Sequence, residues 1–434
     1  MLPTFAAMRI EQLYDHFLQF SSVETDTRKL KPGDIFFALK GPSFNGNLFA
    51  KKALDEGAAF VVVDEDPGFS DNRIIRTANV LTTLQELAGY HRQQFNIPVI
   101  AITGSNGKTT TKELVHAVLS SAYRTYTTQG NLNNHIGIPL TLLAIKKDAE
   151  IAVVEMGANH LKEIEGYCVY TAPTHGLITN CGKAHLEGFG GIEGVRKGKG
   201  ELFDYLRLNN GTAFVMWDYD YLREMSKGIP TICTYGTDAA NITGNTIKSE
   251  PFLEIGWIKA GNIMPVQTQL VGDYNLPNVL AAIAAGKYFK VPDEKIIASI
   301  QQYTPSNSRS QLIEKGSNKI ILDAYNANPS SMKLAIENFS KIRADNKVLV
   351  LGAMMELGPE SKKEHQDIVS LIKNYMWSNV ILVGGDFEGI AEPFVYFKNA
   401  TEATAWLKQH KPVNSSLLVK GSRSMKMETI LDVL

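Results

Sequence analysis

The sequence predicts an α/β fold in three parts. Short apolar segments that suit buried strands alternate with helical segments from about residue 97, and a second series of this kind follows residue 310. A polar segment that contains a proline, residues 304–310, lies between the two series and is typical of a linker. Because 434 residues are enough for about two to four domains, we divide the chain into residues 1–88, 89–304 and 305–434.

The strand candidates define these parts. The first part mixes strands and helices, is too short for a full nucleotide-binding domain, and has its clearest strands at residues 35–39 and 58–63. The second is expected to be a mostly parallel sheet covered by helices on both faces and closed by a helix over residues 275–288. Its strands are expected at residues 99–103, 151–156, 176–179 and 212–216. The third is a further α/β sheet domain with strands at residues 320–322, 347–351, 380–383 and 417–419.

The composition excludes several classes of protein. The net charge of −1 balances 44 basic against 45 acidic residues, which argues against partners such as nucleic acid or an anionic membrane. Three cysteines without a CxxC spacing, Cys168, Cys181 and Cys233, argue for a reducing compartment and against disulfides or a zinc site. No secretory leader and no apolar run of membrane-spanning length is present, so we expect a cytoplasmic protein without membrane insertion.

A short glycine-containing turn between a strand and a helix is the strongest local signal. Residues 99–103 suit a buried strand, and apolar residues recur at helical spacing after the turn. In this geometry backbone N–H groups and the positive end of a helix face an anion. Gly104 and Gly107 would let the backbone close around phosphate oxygens. Lys108 would then reach the terminal phosphates, and the Thr109 hydroxyl would bind Mg²⁺.

The turn is shorter than the general phosphate-binding pattern. That pattern has four residues between its glycines and would place a glycine at position 102, where this chain has Ile102. The alternative is an ordinary glycine-containing turn between a strand and a helix. We favour a nucleotide phosphate site because the strand, the turn, the Lys-Thr pair and the amphipathic helix occur in the required order. Ser105, Asn106 and Thr110 complete this predicted loop.

Polar residues follow two further predicted strands. Glu155 ends an apolar strand, and Asn180 and His185 follow the next one. Ligands of open α/β sheets bind at the carboxyl edge, so Glu155 is a candidate Mg²⁺ ligand, with the capping of a turn as the alternative. For His185 a structural role and a role as a ligand are equally compatible with the residues.

Two more segments stay open on chemistry alone. Asn131, Asn133 and Asn134 precede a glycine and a proline, a pattern that suits either a plain turn or a loop that holds a polar substrate. Residues 196–203, which include Lys199, have the pattern of a solvated basic helix face.

Taken together, the motifs resemble the ATP-dependent Mur ligases of peptidoglycan synthesis over essentially the whole chain. The resemblance rests on Gly-Ser-Asn-Gly-Lys-Thr at residues 104–109, on Glu-Met-Gly at 155–157, and on the segments 130–137 and 179–186. Within this family, Asp-Ala-Tyr-Asn-Ala-Asn-Pro at 323–329 and Glu-Leu-Gly at 356–358 resemble the branch that adds D-alanyl-D-alanine.

The resemblance implies a role for each matching residue. Lys108, His185 and Lys199 are expected to be catalytic, and Lys199 is expected to be carbamylated so that it can bind a second Mg²⁺. The expected metal ligands are Thr109, Glu155, His185 and Lys199. The expected ATP contacts are Gly104, Ser105, Asn106, Gly107, Lys108, Thr109, Thr110, Arg309, Asp323, Asn326 and Asn328. The expected substrate contacts are Thr25, Asp26, Thr27, Arg28, Asn131, Asn133 and Asn134.

The implied reaction joins D-alanyl-D-alanine to UDP-N-acetylmuramoyl-tripeptide at the expense of ATP, through an acyl phosphate. The implied domains are a small α/β N-terminal domain that binds the UDP substrate, a central domain with the phosphate loop and a parallel sheet, and a C-terminal Rossmann-like domain. We expect small-molecule partners, the cofactors ATP and Mg²⁺, and a monomer.

Alternatives to this activity are a sister ligase that adds a single amino acid, a folylpolyglutamate-type ligase, and a kinase or switch built on the phosphate loop. Three sites depart from the family pattern: Asn45 and Asn47 replace Asp and His, Ala353 replaces Asp, and Asn307-Ser308 precede Arg309 where glycine is usual.

Overall fold

The computed structural model describes residues 8–20, 22–305 and 309–434. The α-helices in these residues are α1 (Ile10–Phe20), α2 (Ala50–Asp55), α3 (Val80–Gln93), α4 (Lys108–Ser120), α5 (Gly137–Leu143), α6 (Glu163–Thr171), α7 (Leu186–Phe189), α8 (Ile192–Leu208), α9 (Asp220–Ser226), α10 (Leu276–Tyr288), α11 (Asp293–Gln302), α12 (Pro329–Lys341), α13 (Ser361–Ile372) and α14 (Ala400–Gln409). The strands are β1 (Val23–Glu24), β2 (Ile35–Phe37), β3 (Lys40–Gly41), β4 (Phe44–Asn45), β5 (Phe60–Val63), β6 (Ile74–Arg76), β7 (Val99–Thr103), β8 (Thr125–Thr127), β9 (Ile151–Glu155), β10 (His175–Ile178), β11 (Thr212–Met216), β12 (Thr231–Gly236), β13 (Ile242–Lys248), β14 (Glu254–Lys259), β15 (Asn262–Gln267), β16 (Gln311–Lys315), β17 (Asn318–Asp323), β18 (Lys347–Gly352), β19 (Asn379–Val383), β20 (Val395–Phe397) and β21 (Ser416–Lys420). No helix in these ranges combines the length and the apolar character that crossing a membrane requires.

The chain divides into two compact units. The first comprises Met1–Ala101, Tyr123–Gly157 and Glu163–His175, and the second comprises Ile102–Ala122, Ala158–Lys162 and Gly176–Leu434. The border predicted between residues 88 and 89 falls inside helix α3. The predicted linker at 304–310 includes residues 306–308, which lie outside the described residues.

The first unit contains a parallel sheet in the strand order β1-β2-β5-β6. Its strands are short and mostly apolar. Phe36, Val61 and Val63 are buried in one cluster with the alanines of α2. Strands β8 and β9 form a further parallel pair in this unit. All five residues of β9 are buried, which agrees with the apolar run seen in the sequence and leaves Glu155 at its carboxyl end.

The second unit contains a sheet edge that was not predicted from the sequence. Strands β11, β12 and β13 are parallel, and β14 and β15 then continue the sheet antiparallel. Strand β13 is mostly exposed, so it lacks the apolar run on which the prediction relied. Ala260 and Gly261 link β14 to β15 with φ of +47° and +81°, a pattern typical of a two-residue hairpin turn. Helix α10 packs on β11, β12 and β13, which explains why its alanine-rich face is buried.

The C-terminal part of the second unit has its own sheet, in the order β16-β17-β21-β18-β19-β20. All neighbours are parallel except β16 and β17, and β16 was not predicted. The parallel strands carry continuous Val, Ile and Leu runs that form one core with α14. Asp323 and Lys420 end β17 and β21 side by side in register. The expected second α/β sheet is therefore present.

Candidate active site

The predicted phosphate loop lies directly between β7 and α4 in the structure. Gly104 and Gly107 have φ of +140° and +79°, values that side chains rarely adopt. A Cβ at Gly104 would overlap Thr179 Oγ1, and a Cβ at Gly107 would lie 2.6 Å from Asn278 Oδ1. Backbone geometry and close packing therefore both require glycine at these positions. Ile102 is fully buried in β7, so a strand residue occupies the place where the general pattern has its first glycine.

Residues after β10 hold this loop. Ser105 Oγ donates to the Gly182 carbonyl at 2.9 Å and accepts from the Gly182 N–H at 3.0 Å. Asn180 Oδ1 accepts from the Asn106 N–H, and Asn180 Nδ2 donates to the Asn106 carbonyl, both at 3.1 Å. Thr179 Oγ1 donates to the same carbonyl at 2.6 Å. The loop is thus preorganised by contacts with the next strand end.

Lys108, Thr109 and Thr110 form the first turn of α4. Lys108 Nζ donates to the carbonyls of Gly104 at 2.7 Å and Ser105 at 3.3 Å, so the ammonium lies over the loop. The first N–H groups of a helix have no partner within the helix and carry positive partial charge. This turn therefore combines a cation, a hydroxyl and helix N–H groups, a combination suited to phosphate and Mg²⁺.

Lys199 is buried in helix α8, with 1% of its surface exposed. Its Nζ donates to the Ala158 carbonyl at 2.9 Å and lies 5.0 Å from the centroid of the Phe189 ring. The interpretation of this segment as a solvated basic face is therefore wrong at Lys199, although Lys197 on the same helix is exposed. Burial of an ammonium is costly, and such lysines are typical of sites where the amine has a chemical role.

His185 faces a carboxylate from the C-terminal sheet domain. Its Nδ1 lies 2.6 Å from Oε2 of Glu356. Within the described residues this buried nitrogen completes no hydrogen bond, so the carboxylate stands at ion-pair distance but off the direction of a hydrogen bond. The His185 ring beside Glu356 Oε2 lowers the pKa of this carboxyl below its ordinary value. The backbone of His185 and of Glu356 is in the left-handed region, with φ of +53° and +63°.

The predicted ATP contacts of the C-terminal part lie at the carboxyl edge of its sheet. Lys420 Nζ donates to Asp323 Oδ2 at 2.5 Å and to the Asn326 carbonyl at 3.3 Å. The Arg309 guanidinium stacks 3.5 Å from the centroid of the Tyr325 ring. Asn326 is exposed, and its Oδ1 accepts from the Ala327 N–H at 2.9 Å.

Asn328 joins this edge to the phosphate loop. Its Oδ1 accepts from the Ser331 N–H at 2.9 Å and caps helix α12, while its Nδ2 donates to Asn106 Oδ1 at 2.7 Å. Lys183 and Glu364 link the same two regions through an ion pair of 2.5 Å. The second unit therefore brings together predicted ATP contacts that are more than 200 positions apart in the sequence.

Glu155 and Asn133 meet in the first unit. Glu155 is 1% exposed, and its Oε1 accepts from Asn133 Nδ2 at 2.7 Å. The Asn133 carbonyl accepts from the Gly157 N–H at 2.7 Å. Asn134 Oδ1 accepts from the N–H groups of Ile136 and Gly137, so Asn134 organises the start of α5. Asn131 is exposed, and its carbonyl accepts from the Asn133 N–H at 2.8 Å.

The predicted UDP segment is a turn that follows β1. Glu24 Oε1 accepts from the N–H groups of Thr25 and Asp26. Arg28 and Asp26 form a bidentate pair, with nitrogen to oxygen distances of 2.9 and 2.7 Å, which lowers the pKa of Asp26 to about 2. The Arg28 side chain is 84% exposed, and Thr27 lies between the pair. The turn presents a fixed guanidinium to solvent.

Asn45 and Asn47, which depart from the family pattern, form a satisfied amide network. Asn47 Nδ2 donates to Asp64 Oδ1 at 2.8 Å, and its Oδ1 accepts from the Asp64 N–H at 3.1 Å. Asn45 Nδ2 donates to Glu65 Oε2 at 2.6 Å. Asn45 and Asn47 therefore fasten this loop to the end of β5.

Comparisons with known proteins agree with this arrangement along the chain. Three family models match in succession: Mur ligase family, catalytic domain, at residues 19–101, Mur ligase middle domain at 102–286, and Mur ligase, glutamate ligase domain, at 308–423. The chain belongs to the Mur ligase family. Its sequence is 35% identical to UDP-N-acetylmuramoyl-tripeptide–D-alanyl-D-alanine ligase of Bacillus subtilis, covering 99% of this chain and 95% of that protein.

Solved Mur ligases share the three-domain α/β fold. MurF from Acinetobacter baumannii superimposes with a TM-score of 0.87 at 30% identity, covering 95% of this chain and 93% of that one. The MurF ligase of Thermotoga maritima, solved in complex with ADP, gives 0.86 at 25% identity, covering 96% and 97%. The expected Mur ligase fold is confirmed.

Two of the four residues expected to hold Mg²⁺, Thr109 and Glu155, fit that ion in chemistry as they stand. Among the described residues no cluster of three or more His, Cys, Asp and Glu could hold a metal by itself. Mg²⁺ in nucleotide sites needs only one or two protein oxygens, with phosphates and water supplying the rest. The Thr109 hydroxyl and the Glu155 carboxylate are such oxygen donors. Lys199 fits only as a carbamate, since an ammonium repels a cation.

Several residues of this Mur ligase site were not predicted. Lys420 is a charged residue at the carboxyl end of a buried strand. Glu155 was identified by this same pattern, so Lys420 could have been found in the same way. Ser330 Oγ accepts from the Lys183 N–H at 2.9 Å, but nothing in the local sequence distinguishes it from an ordinary residue in the first turn of a helix. The partnership of Asn133 with Glu155 joins two motifs that the sequence treats separately, and only the fold brings them into contact.

Proposed function

We propose that this chain joins D-alanyl-D-alanine to UDP-N-acetylmuramoyl-tripeptide and converts ATP to ADP and phosphate. The observation that carries this proposal is the likeness to the Bacillus subtilis ligase, which extends over 99% of the chain and therefore includes every predicted site segment. The phosphate loop, the buried Lys199 and the cluster around Asp323 support it from the structure.

The reaction follows from the poor reactivity of a carboxylate. The γ-phosphoryl group passes from ATP to the terminal carboxylate of the tripeptide, which gives an acyl phosphate and ADP. The free amine of D-alanyl-D-alanine then attacks the acyl carbon, phosphate leaves, and the amine loses a proton. No side-chain nucleophile is needed, so the protein acts by positioning and by electrostatic stabilisation.

Each predicted residue has a place in this scheme. Lys108 and the first N–H groups of α4 neutralise the negative charge on the transferring phosphoryl group. The Asp323 region and Asn328 receive ATP from the C-terminal side, with Arg309 and Asn326. Thr25, Asp26, Thr27 and Arg28 hold the UDP end, and the Asn131 to Asn134 loop holds the rest of the substrate.

Thr109, Glu155, His185 and carbamylated Lys199 are the proposed ligands of Mg²⁺, which supplies Lewis-acid stabilisation of phosphoryl charge when bound. Carbamylation requires the Lys199 ammonium to lose one proton, and the neutral amine then adds to CO₂ and loses a second proton, so a buried cation becomes an anion with two oxygen donors. The domains at 1–88, 89–304 and 305–434, a monomeric state and a cytoplasmic location complete the proposal.

Mass spectrometry of the product tests the proposed activity. The protein is incubated with ATP, Mg²⁺, UDP-N-acetylmuramoyl-tripeptide and D-alanyl-D-alanine, beside a control with a shorter UDP-muramoyl peptide and a single amino acid. We expect the pentapeptide product in the first reaction and no amide in the second. Amide in the second reaction alone would make the protein a sister ligase.

A further inference from the structure

We propose that Lys420 is a positioning residue that holds the carboxylate of Asp323 for the ribose hydroxyls of ATP. The inference rests on the proposed role of Asp323 as an ATP contact. It assigns a function to a buried lysine for which no role was predicted.

Lys420 is enclosed at the carboxyl end of strand β21. Its side chain is 2% exposed, whereas that of Asp323 is 18% exposed. The two residues are in register on neighbouring parallel strands, and Lys420 Nζ donates to Asp323 Oδ2 at 2.5 Å. The same ammonium donates to the Asn326 carbonyl at 3.3 Å. One buried cation therefore fixes both the carboxylate and the turn that follows it, and the exposed part of Asp323 remains accessible to a ligand.

The second oxygen of the carboxylate is also held. Asp323 Oδ1 accepts from the Ser310 N–H at 3.3 Å, and Ser310 Oγ lies 2.9 Å from the hydroxyl oxygen of Tyr274. Each carboxylate oxygen has two lone pairs, so each can accept one further hydrogen bond. The protein therefore orients the carboxylate through both of its oxygens and leaves acceptor positions for a ligand.

The chemistry of the pair selects the part of ATP that it can contact. A carboxylate repels phosphates, and the adjacent ammonium disfavours a metal ion at Asp323. The ribose hydroxyls and the adenine amino group remain as donors, and acidic residues of α/β nucleotide sites commonly bind ribose hydroxyls. Without Lys420, the carboxylate would lose both its orientation and its counter-charge beside a polyanionic ligand.

A purely structural ion pair is the competing interpretation. Asp323 and Lys420 join β17 to β21, and a buried pair of this kind can serve folding alone. The two interpretations differ in their effect on ligand selectivity. Loss of a structural pair lowers stability but leaves the preference of the folded protein for ribose hydroxyls unchanged, whereas loss of a positioning residue reduces that preference.

The test measures by calorimetry the binding of ADP and of 2′,3′-dideoxy-ADP, which lacks both ribose hydroxyls, to the full-length protein with Mg²⁺. Wild type is compared with Lys420→Met, Lys420→Gln and Asp323→Asn, and Lys319→Met, at an exposed lysine of β17, is the matched control. Wild type should bind ADP at least about tenfold more tightly than the dideoxy analogue, since hydrogen bonds to charged groups are strong. Lys420→Met and Asp323→Asn should lose most of this ratio through weaker binding of ADP, and the control should keep it.

Lys420→Gln, which retains a neutral donor, should give a ratio between those of wild type and Lys420→Met. If Lys420→Met shows no cooperative thermal unfolding, the ratio in Lys420→Gln decides. A wild-type ratio in the deciding variant or in Asp323→Asn would overturn the inference. Equal binding of the two nucleotides to wild type would overturn it as well.

Product formation by the wild-type protein is scored separately, and nucleotide binding is measured without either peptide substrate. An active ligase in which the deciding variant keeps the wild-type ratio refutes this inference alone. The expected ratios in a protein that forms no amide product would instead refute the proposed activity.

Discussion

Burial in the structure distinguishes Lys199 from a solvated lysine, which its sequence context alone does not. The neighbouring Arg196 and Lys197 suit a solvated helix face, and the resemblance to Mur ligases alone identified Lys199 as different. In the structure its Nζ is enclosed by the Ala158 carbonyl and the Phe189 ring. A charge in such a position must be compensated or chemically changed, which agrees with the proposed carbamate.

Replacement of Lys199 by alanine should abolish ATP-dependent ligation because no anion then replaces the carbamate. Added small carboxylates should restore part of the activity by occupying the vacated space. Phosphate release measures both effects. Lys197→Ala, an exposed change on the same helix, should keep wild-type activity. A fully active Lys199→Ala variant would remove the carbamate from the proposed mechanism.

His175 at the start of β10 should make stability depend on pH. Burial lowers the pKa of His175 from 6.5 to about 4. The unfolded chain then binds more protons than the folded chain below pH 6.5, so the free energy of unfolding falls as the pH falls from 6.5 to 4. Between pH 7 and pH 5 the loss from this residue is about 2 kcal/mol.

Urea unfolding of His175→Gln at pH 7 and pH 5 checks this value. The variant should lose about 2 kcal/mol less than wild type over that interval, whereas His410→Gln, at an exposed histidine, should follow wild type. If the free energy of unfolding of His175→Gln and of wild type falls equally between pH 7 and pH 5, burial of His175 does not cause the pH dependence.

At the scale of elements, the strands and helices that are buried along their whole length were predicted from the sequence. Residues 99–103 and 212–216 match β7 and β11, and the helix predicted at 275–288 begins one residue later as α10. Strand β13 was missed because it is mostly exposed and carries no apolar run. The Asn133 contact with Glu155 and the Glu356 contact with His185 join separate motifs, and local patterns contain no information on such pairing.

A comparison of two N-cap asparagines, Asn328 and Asn399, distinguishes a role in helix capping from a role in ATP binding. Asn328 caps α12 and contacts Asn106, whereas Asn399 caps α14 through the Glu402 N–H at 2.9 Å. Alanine at either position should cost about 1 kcal/mol of stability through loss of the cap. Asn328→Ala should in addition raise the Kd for ATP, measured by calorimetry, and Asn399→Ala should leave it unchanged. Equal ATP affinities in both variants would show that Asn328 is structural.

At the scale of the whole molecule, the chain matches three family models but divides into two compact units, and the segment matched by the middle-domain model, residues 102–286, contributes to both units. The second unit contains the phosphate loop together with the C-terminal sheet, and Asn106–Asn328 and Lys183–Glu364 connect them. Such contacts suit an ATP site that is built from two domains and excludes water while an acyl phosphate exists.

Phosphate release from ATP tests the central claim most directly. It is measured with UDP-N-acetylmuramoyl-tripeptide in the presence and absence of D-alanyl-D-alanine. We predict sustained release when both substrates are present and little release when either is omitted, since the acyl phosphate requires the tripeptide and turnover requires the amine. Sustained release that is indifferent to the dipeptide would contradict the ligase and favour a kinase or a nucleotide switch.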